Sequence, residues 1–250
     1  MLGSYFYNKN IRNVVILFGT VFNDISVRRV TSANVVKEEF KVPIAYGPSE
    51  KFLVRLREAT DISKGKVGLT LPRMSFEFTS IVYDPARKLQ TTKRYKKVKS
   101  GDTTKVTTIY NPVPYNFDFT LSVMVKNSDD GTQILEQILP YFTPEYQVTM
   151  NEMSTMGIKR DIPIIFTGLS TEDSYEGDYL TRRALIHTLT FTVQAFLYGP
   201  TSDVGIIREV DVNKFDGLTS TSKASNTDIK PNPLSADADD AFGYTSTLTE

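Results

Sequence analysis

The spacing of apolar residues predicts two amphipathic helices. Large apolar side chains recur three and four positions apart from Ile11 to Ile25, which places them on one face of a core-facing helix. A second helix is expected to begin with Asp130 as its cap, and Gln133 stands three residues later in the spacing of a capping box. Pro140 ends that helix because its ring removes a donor and clashes with the preceding turn.

Alternation of apolar and polar residues predicts that the remainder is rich in strands. The clearest strand runs from Phe117 to Val125, where every second residue is large and apolar. Further strands are expected at 25–30, 40–46, 69–83, 104–110, 162–166, 185–196 and 206–212, with a short helix from Ser49. The predicted class is therefore α+β: a mixed, mostly antiparallel sheet with a few packed helices, a long loop and an extended C-terminal tail.

One globular domain is expected over residues 1–215, followed by a tail over residues 216–250. The 250 residues are 40% hydrophobic and 23% charged, an ordinary composition that excludes wholesale disorder. The tail is rich in Ser, Thr and Asp and poor in large apolar groups. Such a segment cannot offset its own ordering entropy, so we expect a neighbouring subunit to support it.

No targeting or membrane segment is expected from the sequence. The apolar run from Val14 to Phe22 is followed by Asn23 and Asp24, which do not form the small-residue cleavage site of a signal peptide. No apolar run reaches the roughly 18 residues that a membrane-spanning helix needs.

The chain offers few side chains suited to catalysis. It has no cysteine and one histidine, His187, which excludes thiolate chemistry and multi-histidine metal sites. His187 lies on an alternating strand without a nucleophile elbow, which favours a structural position. Asp129 and Asp130 stand where a helix N-terminus favours negative charge, and the acids around Asp173 suit a solvated turn. We therefore predict no enzyme, no cofactor and no catalytic or metal-binding residue.

The strongest indication of function is a cationic segment within a predicted loop at 85–103. Its cations, with no acid between Asp84 and Asp102, are Arg87, Lys88, Lys93, Arg94, Lys96, Lys97 and Lys99. They suit a solvated surface, an interface with an acidic protein, or nucleic-acid phosphates. Because the net charge of the whole chain is zero, no global field favours nucleic acid.

An acidic counterpart for these cations exists in the same sequence. From Asp203 onward the chain carries nine acids against four bases, so a neighbouring copy would supply the opposite charge. The candidate interface residues there are Asp237, Asp239 and Asp240. Arg182 and Arg183, which open the His187 strand, are further candidates, although an exposed strand end explains them equally well.

Six segments in the same order carry a resemblance to a known family. They are SYFYNKNIRNVV from Ser4, FKVPIAYGPSEKF from Phe40, LPRMSFEF from Leu71, IYNPVPYNFDFTLSVMVKNSDDGTQILEQILPYF over 109–142, KRDIPIIF from Lys159, and GDYLTRRALIHTLTFTVQAFLYGP ending at Pro200. Together they resemble the tail sheath stabiliser and completion proteins of T-even-like contractile-tailed bacteriophages. The resemblance covers about residues 3–210, and none of its segments is a catalytic signature.

The resemblance implies a structural virion protein that forms a six-fold ring at the head-proximal end of the tail. The ring would cap the tail tube terminator and the last sheath ring, and offer an attachment surface for the neck and head. The implied partners are further copies of the chain, the terminator, the sheath protein and the neck or head-completion proteins, with no membrane. Genome DNA would pass through the channel of the ring without specific binding. The tail that contains the ring would be assembled in the host cytoplasm.

Two alternatives to the stabiliser function stay open at this stage. One is a nucleic-acid-binding module that uses residues 87–99, and the other is a tail terminator of the same ring-forming class.

The polar face formed by Gln133, Glu136 and Gln137 would suit the lining of a channel through which DNA passes.

Overall fold

The computed structural model describes residues 5–30, 35–52, 70–99, 102–175, 182–207, 209–217, 223–236 and 243–249. Contacts divide the chain into two compact units. The large-sheet unit comprises residues 9–88 and 113–197, and the small-sheet unit comprises residues 1–8, 89–112 and 198–250. This division runs elsewhere than the predicted boundary at 215/216, because residues 198–250 cluster with residues 89–112.

Two complete helices and fourteen strands lie within the described residues. In chain order they are α1 (Asn10–Val21), β1 (Ser26–Val30), β2 (Val36–Lys41), β3 (Ile44–Tyr46), β4 (Arg73–Tyr83), β5 (Arg94–Lys99), β6 (Asp102–Tyr110), β7 (Val113–Val125), α2 (Ser128–Ile138), β8 (Glu145–Met153), β9 (Ile158–Tyr175), β10 (Arg182–Leu197), β11 (Ser202–Gly205), β12 (Val210–Phe215), β13 (Lys223–Asn232) and β14 (Gly243–Thr249). A single 3-10 turn, Leu139–Tyr141, follows α2. Residues 49–52 are helical, as predicted, and the continuation of that helix from 53 lies outside the described residues.

The large-sheet unit is built on six strands in the order β3-β4-β7-β10-β9-β8. Every pairing is antiparallel except that of β3 with β4, which is parallel. Strands β1 and β2 form a separate antiparallel pair. The strand-rich chain with few helices agrees with the predicted mixed, mostly antiparallel α+β class.

The core forms where α1 packs against the central strands, as the two clearest patterns predict. Every second residue of β7 from Phe117 to Val125 is at most 1% exposed, and Phe18 of α1 is fully buried. The ring of Phe18 stacks on that of Phe119 at a centroid distance of 4.4 Å. Neither helix of the described ranges is long and apolar enough to cross a membrane.

Three predicted strands differ from the structure for identifiable reasons. The strand at 40–46 is interrupted at Pro43, so β2 pairs with β1 while β3 pairs with β4. A bulge between Phe78 and Ser80 changes the register of β4, so Met74 is buried whereas Val82, at the same parity along the strand, is 54% exposed. Of the strand predicted at 206–212, residues 210–212 begin β12, whereas β11 already ends at Gly205, and the two strands pair in different sheets.

The small-sheet unit contains two three-stranded sheets, β11-β6-β5 and β12-β13-β14. The predicted strand at 104–110 lies within β6, which pairs with β11 and β5 in the first of them. Residues 94–99 of the predicted loop form β5, because hydrogen bonds to β6 satisfy their backbone. The predicted tail contains β13 and β14, where residues of the tail pair with one another.

Candidate assembly surfaces

His187 occupies a buried structural position in the large-sheet unit. It lies on β10 with 6% of its surface exposed, and its Nδ1 is 2.9 Å from Oγ1 of Thr171 on β9. A Cβ at Gly131 of α2 would lie 2.6 Å from Nε2 of His187, so only glycine permits this close approach. Burial lowers the pKa of His187, since it disfavours the charged form.

Asp130 links α2 to β1 instead of capping the helix as predicted. The helix begins at Ser128 with Asn127 as its N-cap, which places Asp130 in the first turn. Its buried Oδ2 lies 2.8 Å from Nη2 of Arg29. This hydrogen bond is the main cause that raises the pKa of Arg29. The pair of acids therefore has a structural explanation, in agreement with their preference for a helix N-terminus.

The glutamines of the predicted polar face bind a strand. Oε1 of Gln133 accepts a hydrogen bond from the backbone N–H of Arg28 at 3.1 Å, so Gln133 is not part of a capping box. Nε2 of Gln137 donates to the carbonyl of Ser26 at 2.8 Å. The two side chains hold α2 against β1, and Glu136 between them is exposed.

The structure separates the predicted cations into two groups. In the first group, Arg87 and Lys99 each form an ion pair with an acid of the same chain. Nε of Arg87 lies 2.7 Å from Oδ2 of Asp84, and Nη2 donates to Oδ1 of Asn116 at 2.8 Å. The hydrogen bond from Arg87 is the main cause that lowers the pKa of Asp84. Arg87 thus belongs to the large-sheet unit, and its neighbour Lys88 is exposed.

Lys99 connects two strands of the small-sheet unit. Its Nζ lies 2.6 Å from Oδ2 of Asp203 on β11, and Thr107 of β6 donates to the other carboxylate oxygen at 2.8 Å. Hydrogen bonds from Lys99 and then Thr107 lower the pKa of Asp203. Asp203 is therefore partly neutralised within its own chain, and it is not a free acid of the kind that the sequence predicts for the C-terminal region.

The second group, which we name the cationic edge, comprises Lys93, Arg94, Lys96 and Lys97. All four residues are exposed, and β5 is an edge strand of its sheet. Arg94 lies over the ring of Tyr110, with its Cζ 4.4 Å from the centroid, and also donates to the Tyr110 hydroxyl. A cavity of about 240 Å³ borders the edge, lined by Arg94, Lys96, Lys97, Val98, Val106, Thr108, Val204, Gly205 and Ile206.

The remaining predicted interface residues have no described side-chain environment. Arg182 and Arg183 begin β10, where Arg182 pairs with Tyr175, but their side chains are outside the described part of the chain. Asp237, Asp239 and Asp240 lie wholly outside the described residues. Their role in an interface stays a prediction.

A groove that the sequence analysis missed lies in the large-sheet unit, where α1, α2 and β8 meet. It has a volume of about 570 Å³ and is lined by Val21, Phe22, Asp24, Ile25, Glu136, Gln137, Ile138, Pro140, Tyr141, Phe142 and Tyr146. Its floor is buried at Phe22 and Ile138, while Tyr141 is 67% and Tyr146 37% exposed. No single sequence motif predicts the groove, because three separate segments of the chain supply its lining residues.

In the described residues, no cluster of three or more His, Cys, Asp or Glu side chains suits a metal ion. Two surfaces of the described residues have a distinctive chemistry, namely the cationic edge and the groove. Both are of the kind that a protein uses for contacts with other macromolecules.

Comparison with known proteins confirms the family that the six segments indicate. The family model described as T4-like virus Myoviridae tail sheath stabiliser matches residues 5–250, so the match includes the cationic edge and the C-terminal strands. The tail completion protein gp15 of Enterobacteria phage T4 is 33% identical over 211 residues, which cover 82% of this chain and 76% of that protein. The chain therefore belongs to the T4-like Myoviridae tail sheath stabiliser family.

Proposed function

We propose that the chain forms a ring at the head-proximal end of a contractile phage tail. There it caps the tail tube terminator and the last sheath ring, and presents a surface to the neck and head. Membership of the stabiliser family over residues 5–250 carries the proposal. That membership makes the chain a structural protein of the phage tail, which supports the prediction that it is not an enzyme. Assembly in the host cytoplasm is part of the same proposal.

Ring closure sets requirements that the surface of the chain can meet. Neighbours in a closed ring make head-to-tail contacts, so two different patches of each chain must be complementary. Stable contacts of this kind bury more than about 1,000 Å² in total. The cationic edge is well suited to be one of the two patches, because its four charges are exposed on a single strand and its flank.

Electron microscopy of phage tails tests the proposed position. Tails assembled without this chain are imaged in negative stain before and after the purified chain is added back. We expect a new collar at the head-proximal end and sheaths that no longer fray. Absence of binding to tails at any stoichiometry would contradict the proposal and leave only the shared fold.

Neutralising the cationic edge tests its part in assembly. The joint substitution of Lys93, Arg94, Lys96 and Lys97 by Gln is expected to weaken ring or tail assembly, most strongly at low salt, because salt also screens these charges in the wild type. The matched control replaces four exposed lysines of the large-sheet unit, namely Lys37, Lys51, Lys126 and Lys159. Unchanged assembly of the edge variant by electron microscopy would contradict this part of the proposal.

Nucleic-acid binding by the segment 87–99 is the second candidate, favoured by the exposed cations around Tyr95. Against it, Arg87 and Lys99 are engaged by Asp84 and Asp203 of the same chain, which reduces the charge available to phosphates. Retardation of duplex DNA, with a loss of about one log unit of affinity per log unit of salt for each neutralised phosphate, would favour this candidate. The terminator alternative finds no support in the family match.

A further inference from the structure

The groove has an aromatic wall of the kind that attracts cations. The rings of Phe142 and Tyr146 lie 6.0 Å apart at an interplanar angle of 56°, and those of Tyr141 and Tyr146 lie 6.3 Å apart at 76°. Phe22 and Phe142 stack at 6.2 Å. Faces of aromatic rings carry negative electrostatic potential, so they bind ammonium and guanidinium groups, most strongly where water is excluded.

One carboxylate adds uncompensated negative charge to the same groove. Asp24, three residues after α1, does not supply it, because Nζ of Lys41 lies 2.8 Å from its Oδ1. Glu136 lines the groove from α2, and its side chain is exposed. Among the described residues that line the groove there is no Lys or Arg. A cavity of about 570 Å³ is large enough for one or two long side chains with their charged ends.

We propose that this groove binds lysine and arginine side chains, and that the cationic edge of a second copy of the chain occupies it. The two surfaces are opposite in charge, and each combines its charge with aromatic or aliphatic groups. They are also two different patches of one chain, which is the requirement for a head-to-tail contact. The identity of the occupant therefore rests on the proposed ring, whereas the preference of the groove for cations rests on its lining alone.

The cationic edge binds through its side chains and not by strand addition. Successive residues of β5 point to opposite faces of the sheet, so Arg94 and Lys96 project on one side and Lys97 on the other. Lysines along an edge strand oppose pairing with another strand. Arg94 is held in place by the Tyr110 ring, while Lys96 and Lys97 are exposed and can reach a neighbouring surface.

Binding of a peptide tests the proposal without requiring that a ring forms. The probe is a fluorescent peptide with the sequence of residues 92–99, TKRYKKVK. The receptor is the full chain with the four residues of its cationic edge replaced by Gln. The edge of one receptor molecule then cannot occupy the groove of another and compete with the peptide. We expect saturable binding, measured by fluorescence anisotropy, and its loss for a peptide in which every Lys and Arg is replaced by Gln.

Groove variants of this receptor locate the binding site. Glu136→Gln and Tyr141→Ala are each expected to weaken peptide binding about five- to tenfold, since each removes one source of attraction for cations. Both side chains are exposed, and thermal unfolding checks that each variant is folded. The control Glu172→Gln removes an exposed carboxylate of the same unit that does not line the groove, and we expect it to bind the peptide unchanged.

Three results would overturn the proposal. One is retention of binding in both groove variants. Another is binding lost only when Asp237, Asp239 and Asp240 are replaced by Asn, which would assign the cations to the acidic tail. The third is equal binding of the all-Gln peptide. Imaging of tails tests the ring separately, so peptide binding without a collar on the tails would refute the proposed function and leave the groove as a cation-binding site.

Discussion

The two units of the chain use strands in opposite ways. In the large-sheet unit, Phe18, Phe119 and Phe191 are at most 1% exposed, and helix α1 covers the central strands. In the small-sheet unit, Val204 is 49%, Leu248 59% and Tyr244 75% exposed. Apolar area removed from water stabilises a fold in proportion to its size. The large sheet therefore supplies most of the stability of the chain, and the small sheets mainly supply surface.

The register of the sheet β12-β13-β14 aligns residues of similar polarity but does not bury them, since Val212 is 42% and Leu248 59% exposed. Val212, Thr227 and Leu248 are aligned across the three strands, and their neighbours Asp211, Asp228 and Thr247 are aligned on the opposite face. The sheet thus separates apolar from polar residues, as an amphipathic sheet does. Substitutions in the two units should accordingly differ in cost, and four predictions measure that difference.

The largest expected effect is that of Phe18→Ala. The variant leaves a cavity among Phe22, Phe76 and Phe119, whose rings contact Phe18. It is expected to lower the free energy of unfolding by about 3–5 kcal/mol. Val212→Ala in the small-sheet unit should cost less than about 1 kcal/mol, because its side chain is already 42% exposed. Urea denaturation measures both variants, and equal costs would contradict the comparison.

Gly131→Ala should destabilise the large-sheet unit, although alanine favours a helix over glycine. The added Cβ would lie 2.6 Å from Nε2 of His187, and overpacking of this kind costs about 1–3 kcal/mol. The second substitution His187→Ala should recover part of the loss by removing the clash. Gly199→Ala in the small-sheet unit, where a Cβ meets nothing within 4 Å, is the control. A more stable Gly131→Ala variant would refute the close approach.

Acidification should weaken the large-sheet unit through His187. Because burial lowers its pKa in the folded chain, the unfolded chain binds the proton more readily below the ordinary histidine pKa of about 6.5. The contribution of neutral, buried His187 to the free energy of unfolding is therefore fully present above that value, and it decreases as the pH falls below it. Thermal unfolding from pH 7.5 to 5 should show a smaller decrease for His187→Gln than for the wild type. Parallel pH profiles would contradict this assignment.

The smallest effect is expected for Lys99→Gln in the small-sheet unit. The two side chains of its ion pair with Asp203 are 41% and 38% exposed to solvent. Such pairs contribute little to the free energy of unfolding in water. The lowered pKa of Asp203 places this contribution above the ordinary aspartate pKa, and it is lost as pH falls through the folded value. We expect a small decrease of the thermal midpoint at low salt that disappears near 1 M salt. A large, salt-independent loss would show that Lys99 has a different role.

The local pattern of the sequence correctly predicts the elements in which apolar residues recur with regular spacing. The alternation from Phe117 to Val125 predicted β7 correctly, and the helical spacing after Ile11 predicted α1. Both patterns report which face of an element meets the core, and this depends on neighbours within the same segment. The family resemblance likewise needed only the order of six segments.

Other elements depended on contacts that no local pattern contains. β5 was predicted as a loop because its Lys and Arg residues do not alternate with apolar ones in the way that a core strand does. Its strand conformation comes from pairing with β6. The bulge in β4 is another such feature: it changes the register after Phe78, so Val82 is exposed although strict alternation from the buried Met74 would bury it.

The sequence by itself determined the strand-rich class, the first helix, the central strand, the small catalytic inventory and the family. Only the tertiary structure decided which cations are exposed, since Asp84 and Asp203 engage Arg87 and Lys99 from outside β5. It also decided that side chains from the segments 21–25 and 136–142, together with Tyr146, line one groove. The physical reason is that these features depend on contacts between distant segments, whereas a pattern of side chains reports only the environment that each segment creates for itself.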